Sequence, residues 1–233
     1  MIKVEPFDGK LKTILDLAQS YYNSYVTLSK EYKSDKEMAL YKKGTFIKKL
    51  KKISQDNSSH TFIYFDDDKP LGFARYSPVP SYYHKDRIEN AEIESGTTPN
   101  GYDYYWKRKL DLNAENNMDD KTIMLNQIYL DPSIQKKGLG TKIIDQTLPK
   151  IKEAGFESLV IEYNSNNENA RRFYRNTLAL REIGTTRDFD NVVSNPTEIC
   201  MSPVTLGFVE IDKAINKINS IKMTNKVVNS NAK

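Results

Sequence analysis

One stretch decides how this chain folds: Asp131-Pro132-Ser133-Ile134-Gln135-Lys136-Lys137-Gly138-Leu139-Gly140-Thr141-Lys142. An apolar, strand-like run precedes it over Thr122–Leu130, and an amphipathic, helix-like run follows it over Lys142–Lys152. Backbone N–H groups at a helix start, the helix dipole and a glycine that allows close backbone approach together form an anion site. The stretch therefore predicts a binding site for a phosphate-bearing ligand.

A second polar loop follows the next predicted strand. After the helix predicted over 141–154, which ends at Gly155, the pattern predicts a strand at Ser158–Tyr163, a loop at Asn164–Asn167 and a helix at Glu168–Leu178. A strand, a helix and a strand in this order imply a parallel pair joined by a right-handed crossover.

Further elements are predicted on both sides of this unit. They are a strand at Ile2–Glu5, helices at Asp8–Leu28 and Ser34–Ile53, a hairpin of Thr61–Phe65 and Leu71–Tyr76, strands at Leu180–Arg187 and Thr197–Val204, and a helix at Glu210–Ile221. Residues 77–120 are predicted to be an irregular, aromatic-rich insertion. It either forms a wall of the substrate site or packs locally.

The amino-acid composition excludes several classes of function for this chain. The 35 basic and 31 acidic residues leave a net charge of +4, which is too mild to imply nucleic acid by itself. The basic run Lys48–Lys52 is read as a solvated helix face rather than an RNA-tracking patch. A single cysteine, Cys200, rules out an intrachain disulfide and a cysteine-based zinc cluster, and His60 and His84 form no metal motif. We therefore expect neither a metal nor a nucleic-acid partner.

The hydrophobic segments suit a protein of the cytoplasm. No apolar run approaches the roughly 20 residues that span a bilayer, so no membrane partner is expected. Residues 1–6 lack the apolar core of a signal peptide. Near the other end, isoleucines at positions 211, 215, 218 and 221 share one helical face, which we expect to dock on the domain, with a homodimer contact as the alternative. Val227–Lys233 is expected to be frayed.

Two motifs stand in order along the chain. The first is Gln135-x-x-Gly138-x-Gly140 after a strand, and the second is Asn167-x-x-Ala170-x-x-Phe173-Tyr174 at a helix start. The Walker spacing and the third glycine of a dinucleotide fingerprint are both missing. Together the motifs resemble those of the GCN5-related N-acetyltransferase superfamily over about Thr122–Gly184. The run Gln127–Pro132 is similar to the family's strand that ends in Val-Asp-Pro.

This resemblance implies an α/β fold, with a mixed, twisted, mostly antiparallel sheet and helices on both faces. It implies a single domain over 1–206 with an insertion at about 77–120, followed by a C-terminal amphipathic helix and frayed tail over 207–233. The implied activity is direct transfer of an acetyl group from acetyl-CoA to a primary amine of a small molecule or peptide, in a ternary complex. The alternative is a module of the same fold that binds coenzyme A or a partner without turnover.

By resemblance, acetyl-CoA lies along the strand Thr122–Leu130 with its pyrophosphate over the loop. A backbone N–H near its end would stabilise the oxyanion formed from the thioester. Asn167 would contact the cofactor arm, and its position also suits a helix cap. The residues implied for cofactor binding are Ile128, Tyr129, Leu130, Gln135, Lys136, Lys137, Gly138, Leu139, Gly140, Thr141, Asn167 and Ala170.

The resemblance also implies catalytic roles. Tyr174 matches the tyrosine that donates a proton to the leaving thiolate, and the alternative for it is a packed core tyrosine. The family's glutamate base is replaced here by Asn126, which cannot take a proton. Glu162 on the neighbouring strand is the candidate substitute. An ordered water or an insertion residue (His84, Glu92 or Glu94) is the alternative.

Overall fold

The structure is a computed structural model, and it describes residues 2–29, 42–79, 93–97, 103–107, 109–110, 118–135, 138–189 and 201–231. The described helices and strands follow one another in the order β1 (Ile2–Pro6), α1 (Leu11–Ser29), α2 (Lys43–Ser54), β2 (His60–Asp66), β3 (Lys69–Pro78), β4 (Ile93–Thr97), β5 (Asp103–Lys107), β6 (Lys109–Leu110), β7 (Thr122–Leu130), a 3-10 turn (Pro132–Ile134), α3 (Leu139–Glu153), β8 (Ser158–Asn164), α4 (Glu168–Leu178), β9 (Arg181–Phe189), β10 (Met201–Glu210) and α5 (Ile211–Asn231).

The main sheet has eight strands in the hydrogen-bonded order β1-β2-β3-β7-β8-β10-β9-β6, and β4 and β5 form a separate pair. The pairs β1–β2, β2–β3, β8–β10, β9–β10, β6–β9 and β4–β5 are antiparallel. Strands β7 and β8 are neighbours joined through α3, which is the connection that a parallel pair requires. The mostly antiparallel α/β fold that the sequence predicted is thus confirmed.

The chain divides into two compact units. Within the described residues, the first comprises 2–29, 42–77, 125–135 and 138–147, and the second comprises 78–79, 93–97, 103–107, 109–110, 118–124, 148–189 and 201–231. Strand β7 contributes its first three residues to the second unit and its last six to the first.

The first unit has helices on both faces of its strands. On one face, α1 and α2 bury Leu17, Tyr21 and Phe46 against Phe73 of β3. Tyr76 of the same strand hydrogen-bonds through its hydroxyl to Thr147 Oγ1 of α3 at 2.7 Å. Because Phe73 and Tyr76 are three residues apart on a strand, their side chains point to opposite faces.

The second unit is built around a core shared by its strands. Its buried cluster consists of Val79, Met118, Met124, Val160, Ile183, Leu206 and Phe208. In α5, Ile211, Ala214 and Ile218 are buried, and Ile215 and Ile221 are half-buried. This apolar face explains why α5 packs against α4.

Several boundaries differ from the predicted ones. The described part of the second helix begins at Lys43, and Ser34–Tyr41 lie outside the described residues. The insertion is not wholly irregular, because β4 and β5 pair within it. The C-terminal helix extends through the segment predicted to be frayed and ends at Asn231.

Residues 197–200 of the strand predicted at Thr197–Val204 lie outside the described residues, and the described strand β10 runs over Met201–Glu210, past residue 206, where the domain was predicted to end. This strand contains Gly207, and a glycine inside a strand normally weakens it. Here a side chain at this position would meet Leu180 Cδ2 and Cγ, so glycine is required by close packing. The run of buried residues from Val204 to Val209 outweighs the glycine.

Candidate functional site

The loop after β7 folds back on the strand that precedes it. The Asp131 carboxylate caps the 3-10 turn, because its Oδ1 accepts hydrogen bonds from Ser133 N at 3.0 Å and Ser133 Oγ at 2.6 Å. Beyond the turn, Gln135 Nε2 donates to the carbonyl oxygen of Leu130 at 3.0 Å. The first motif glutamine therefore fixes the loop against the end of β7.

Gly138 marks the point where the loop becomes a helix. Its φ of +71° lies in the left-handed region that favours glycine. The first helical hydrogen bond runs from Lys142 N to the Gly138 carbonyl, so the N–H groups of Leu139, Gly140 and Thr141 precede it. Within the described residues, these three N–H groups donate to no acceptor. They form a potential anion site at the start of α3.

The predicted cofactor-binding residues of this loop differ in how far they are buried. Leu139 is buried and anchors the helix start, whereas Gly140 and Thr141 are half-buried. Lys136 and Lys137 lie outside the described residues.

The end of β7 is held by aromatic contacts. The Tyr129 ring lies 4.3 Å from the ring of Tyr21 in α1 and stacks on Phe73 at 5.5 Å. Strand β3 comes so close that a side chain at Gly72 would overlap the Tyr129 carbonyl oxygen. Of the predicted segment Ile128–Leu130, the Tyr129 side chain therefore has a structural role.

The position expected for a general base holds an amide. The exposed side chain of Asn126 accepts, at Oδ1, a short hydrogen bond from Ser77 Oγ of β3. The next residue, Gln127, donates from Nε2 to the Tyr21 hydroxyl at 3.2 Å. Neither amide takes up a proton near neutral pH, so neither side chain can serve as a general base.

In the second unit, Asn167 caps α4. Its Oδ1 accepts from Ala170 N at 3.0 Å, and its own N–H donates to the Asn164 carbonyl at 2.9 Å. This confirms that Asn167 is a helix cap, and it leaves the amide Nδ2 for a further partner.

Tyr174 lies on the buried face of α4 with a relative exposure of 7%. Its ring is 5.6 Å from the ring of Tyr163 in β8, and its hydroxyl makes no hydrogen bond to the residues that the structure describes. Burial raises the pKa of the Tyr174 phenol well above its usual value, and the nearby Tyr163 adds to the rise. The phenol is therefore protonated throughout the neutral range and can donate.

Tyr163 is tied into a polar network that sequence reasoning missed. Its hydroxyl donates to Glu182 Oε1 at 2.7 Å, and the same oxygen accepts from Arg171 Nε at 3.0 Å. Burial and this bond to Glu182 raise the pKa of Tyr163 to about 12. Tyr163 and Glu182 are 19 residues apart, and nothing in the local pattern signals their pairing.

Glu162 lies on the other face of β8. It is half-buried and pairs in register with Leu206, which belongs to the same core cluster as Val160. Because side chains alternate along a strand, Glu162 points away from the face on which Tyr163 meets Tyr174. The structure thus does not bring the two predicted catalytic side chains together on one face.

The other base candidates cannot be placed. His84 and Glu92 lie outside the described residues, as does the side chain of Glu94. Within the described part of the chain, no three histidine, cysteine, aspartate or glutamate side chains could hold a metal ion. Nor is any described helix long and apolar enough to cross a membrane.

The sequence matches a known protein family, and the fold resembles solved structures. The sequence model of the acetyltransferase (GNAT) family matches residues 14–178, a range that includes both motifs. No curated protein matches the sequence.

Solved structures resemble this fold over most of its length. An N-acetyltransferase from Staphylococcus aureus Mu50 has 15% identity and a TM-score of 0.54, covering 91% of this chain and 99% of that one. The PaiA N-acetyltransferase of Thermoplasma acidophilum, in complex with coenzyme A, has 10% identity and a TM-score of 0.52, covering 88% and 98%. The ribosomal-protein-S18-alanine N-acetyltransferase of Escherichia coli has 13% identity and a TM-score of 0.52, covering 91% and 94%. Sequence identities this low show that the fold is shared and nothing more.

Proposed function

Because the chain belongs to the acetyltransferase (GNAT) family, we propose that it transfers the acetyl group of acetyl-CoA to a primary amine of an acceptor. The observation that carries this proposal is that the N–H groups of Leu139–Thr141, directly after Gly138, donate to no acceptor among the described residues. A pyrophosphate is recognised largely by such backbone donors and by the helix dipole. The similar PaiA structure, which contains coenzyme A, supports the same ligand here.

We propose the following binding roles. The stretch Gln135–Thr141, including Lys136 and Lys137, holds the pyrophosphate. A backbone N–H of Ile128–Leu130 donates to the thioester carbonyl. The side-chain oxygen of Asn167 already accepts the N–H of Ala170, so we assign the contact with the cofactor arm to its donor Nδ2.

The reaction forms a C–N bond and breaks a C–S bond. The neutral amine attacks the thioester carbon, and the N–H donor of β7 stabilises the negative charge that develops on the carbonyl oxygen. As the C–S bond breaks, the newly bonded nitrogen releases one proton to solvent, and Tyr174 gives its proton to the thiolate and is in turn reprotonated by solvent. Its raised pKa ensures that the proton is present at neutral pH.

The amine must lose a proton before it attacks. We assign this step to Glu162, with a water or a residue of the insertion as the alternative. Glu162 occupies the face of β8 opposite to Tyr174.

A thiol-release assay tests the proposal. Binding of acetyl-CoA is first measured by calorimetry, and release of coenzyme A is then followed with a panel of amines. Turnover of at least one amine, with formation of its N-acetyl product by mass spectrometry, is the expected result. Binding without turnover over the whole panel would favour the second candidate, a non-catalytic coenzyme A-binding module, which the amide at Asn126 supports. Absence of binding would overturn both.

A further inference from the structure

The pair formed by Ser77 and Asn126 has a defined hydrogen-bond polarity. Ser77 Oγ donates to Asn126 Oδ1, which fixes the orientation of the amide. The two N–H bonds of the amide remain, and within the described part of the chain they donate to no acceptor. Since the Asn126 side chain is exposed, these donors face solvent and any molecule that approaches it.

Asn126 stands near the place where the reacting amine must arrive. It is two positions from Ile128, a distance of roughly 7 Å along a strand. Under the proposed function, the thioester carbonyl meets the backbone of Ile128–Leu130. A group that lies a few atoms from the acceptor's amine can therefore reach the amide of Asn126.

We propose, on the basis of the transfer reaction proposed above, that Asn126 selects acceptors that carry a carbonyl or carboxylate oxygen a few atoms from the amine. A peptide N-terminus and a free amino acid share this chemistry. Asn126 donates to that oxygen, and Ser77 is the positioning residue that keeps the N–H groups turned outward. An alkyl diamine brings a second ammonium group, which is a donor only and cannot accept from the two N–H bonds of Asn126.

The experiment compares matched acceptors on the full-length protein. The probes are alanyl-alanine amide, free alanine, propylamine and 1,4-diaminobutane. The variants are Asn126→Asp, which exchanges the donors for a charged acceptor in the same shape, and Ser77→Ala. Asn219→Asp, an exposed change of the same type on α5, is the control. Folding is checked by circular dichroism, and acetyl-CoA affinity by calorimetry.

We expect the wild-type protein to have a higher kcat/KM for alanyl-alanine amide or alanine than for propylamine and the diamine. Asn126→Asp should lower this preference about 10- to 100-fold, because it replaces a hydrogen bond with repulsion between like-charged oxygens. Ser77→Ala should raise the KM of the oxygen-bearing acceptor about 3- to 10-fold with little change in kcat. The control should leave the preference unchanged.

The outcomes separate the two proposals. Turnover with a preference for alkyl amines, or a preference that Asn126→Asp leaves unaltered, would overturn the assignment of Asn126 while the transfer activity stands. Binding of acetyl-CoA without turnover of any amine would overturn the transfer activity and this assignment with it. A dipeptide preferred over free alanine would identify a peptide as the source of the oxygen, and the reverse would identify an amino acid.

Discussion

The ring of Tyr174 lies 5.6 Å from the ring of Tyr163, at an interplanar angle of 42°. Only Tyr163 has its hydroxyl committed within the described residues, through its bond to Glu182. The two phenols are therefore separable by experiment, although they share one environment.

Replacing Tyr174 by phenylalanine should lower kcat about 10- to 100-fold, because the thiolate loses its proton donor. Acetyl-CoA affinity by calorimetry should change little. The matched control is Tyr163→Phe, which keeps the ring contact and removes the bond to Glu182. It should lower the free energy of unfolding by about 1 kcal/mol and leave kcat nearly intact. Equal loss of kcat in both variants would refute a special role for Tyr174.

The raised pKa of Tyr174 predicts the alkaline side of the pH profile. A donor must be protonated to act, and its proton is lost only above the ordinary tyrosine value of about 10. With a simple amine as acceptor, kcat should therefore not fall between pH 7 and roughly 9.5, while kcat/KM rises as the amine loses its proton. A decline in kcat with a midpoint near pH 8, absent from Tyr174→Phe, would contradict this.

Gly138→Ala tests the start of α3. No atom lies near the added methyl group, but the φ of +71° strains any residue other than glycine, at about 1 kcal/mol. Relief of that strain should turn the N–H groups of Leu139–Thr141 and weaken acetyl-CoA binding about 5-fold by calorimetry. Gly155→Ala is the control, because it has the same open surroundings and a φ of +98°. It should reduce stability without a change in acetyl-CoA affinity.

Gly72→Ala should destabilise the protein by about 3 kcal/mol in urea denaturation. The new side chain would overlap the Tyr129 carbonyl oxygen and lie 3.0 Å from the Leu130 Cα, and both are backbone atoms of a central strand. Gly44→Ala is the comparison: nothing lies within 4 Å of the added carbon, and alanine favours the helix. It should stabilise by about 0.5 kcal/mol. A mild effect at Gly72 would mean that β3 moves freely against β7.

Acid stability should depend on Asp56. Hydrogen bonds from Ser58 and then Arg75 lower the pKa of its carboxyl to about 2. A lowered folded-state pKa stabilises the fold above the ordinary value near 4, and this contribution is lost as the pH falls toward 2. Asp56→Asn should therefore reduce the free energy of unfolding at pH 7 by about 1 kcal/mol. This is less than the pKa shift alone would give, because the side chain is 27% exposed and solvent screens its interactions. At pH 2 the two proteins should agree, and Asp16→Asn on the exposed face of α1 should behave as wild type.

Two elements of the site were predictable to the residue. Strand Thr122–Leu130 is a continuous run rich in apolar residues that ends at Asp131-Pro132, and helix Glu168–Leu178 begins at a residue suited to capping. Local chemistry decides both sets of boundaries, so sequence alone reveals them.

Other features depend on contacts between distant residues. The Tyr163–Glu182 bond and the Ser77–Asn126 bond join strands that only the fold brings together. Strand Met201–Glu210 continues through Gly207 because Leu180 fills the space beside it. The β4–β5 pair was missed because its polar and aromatic residues lack the alternation of a half-buried strand.

Tyr21 connects the N-terminal helix to the end of β7 for which we propose thioester binding. Its ring meets Phe46, Phe73 and Tyr129, and its hydroxyl accepts the Gln127 amide. Any local unfolding of α1 therefore removes the contacts of Tyr21 with β7 at the same moment. The proposed thioester-binding end of β7 therefore depends on the stability of that first helix, and changes along the buried face of α1 should loosen it from a distance.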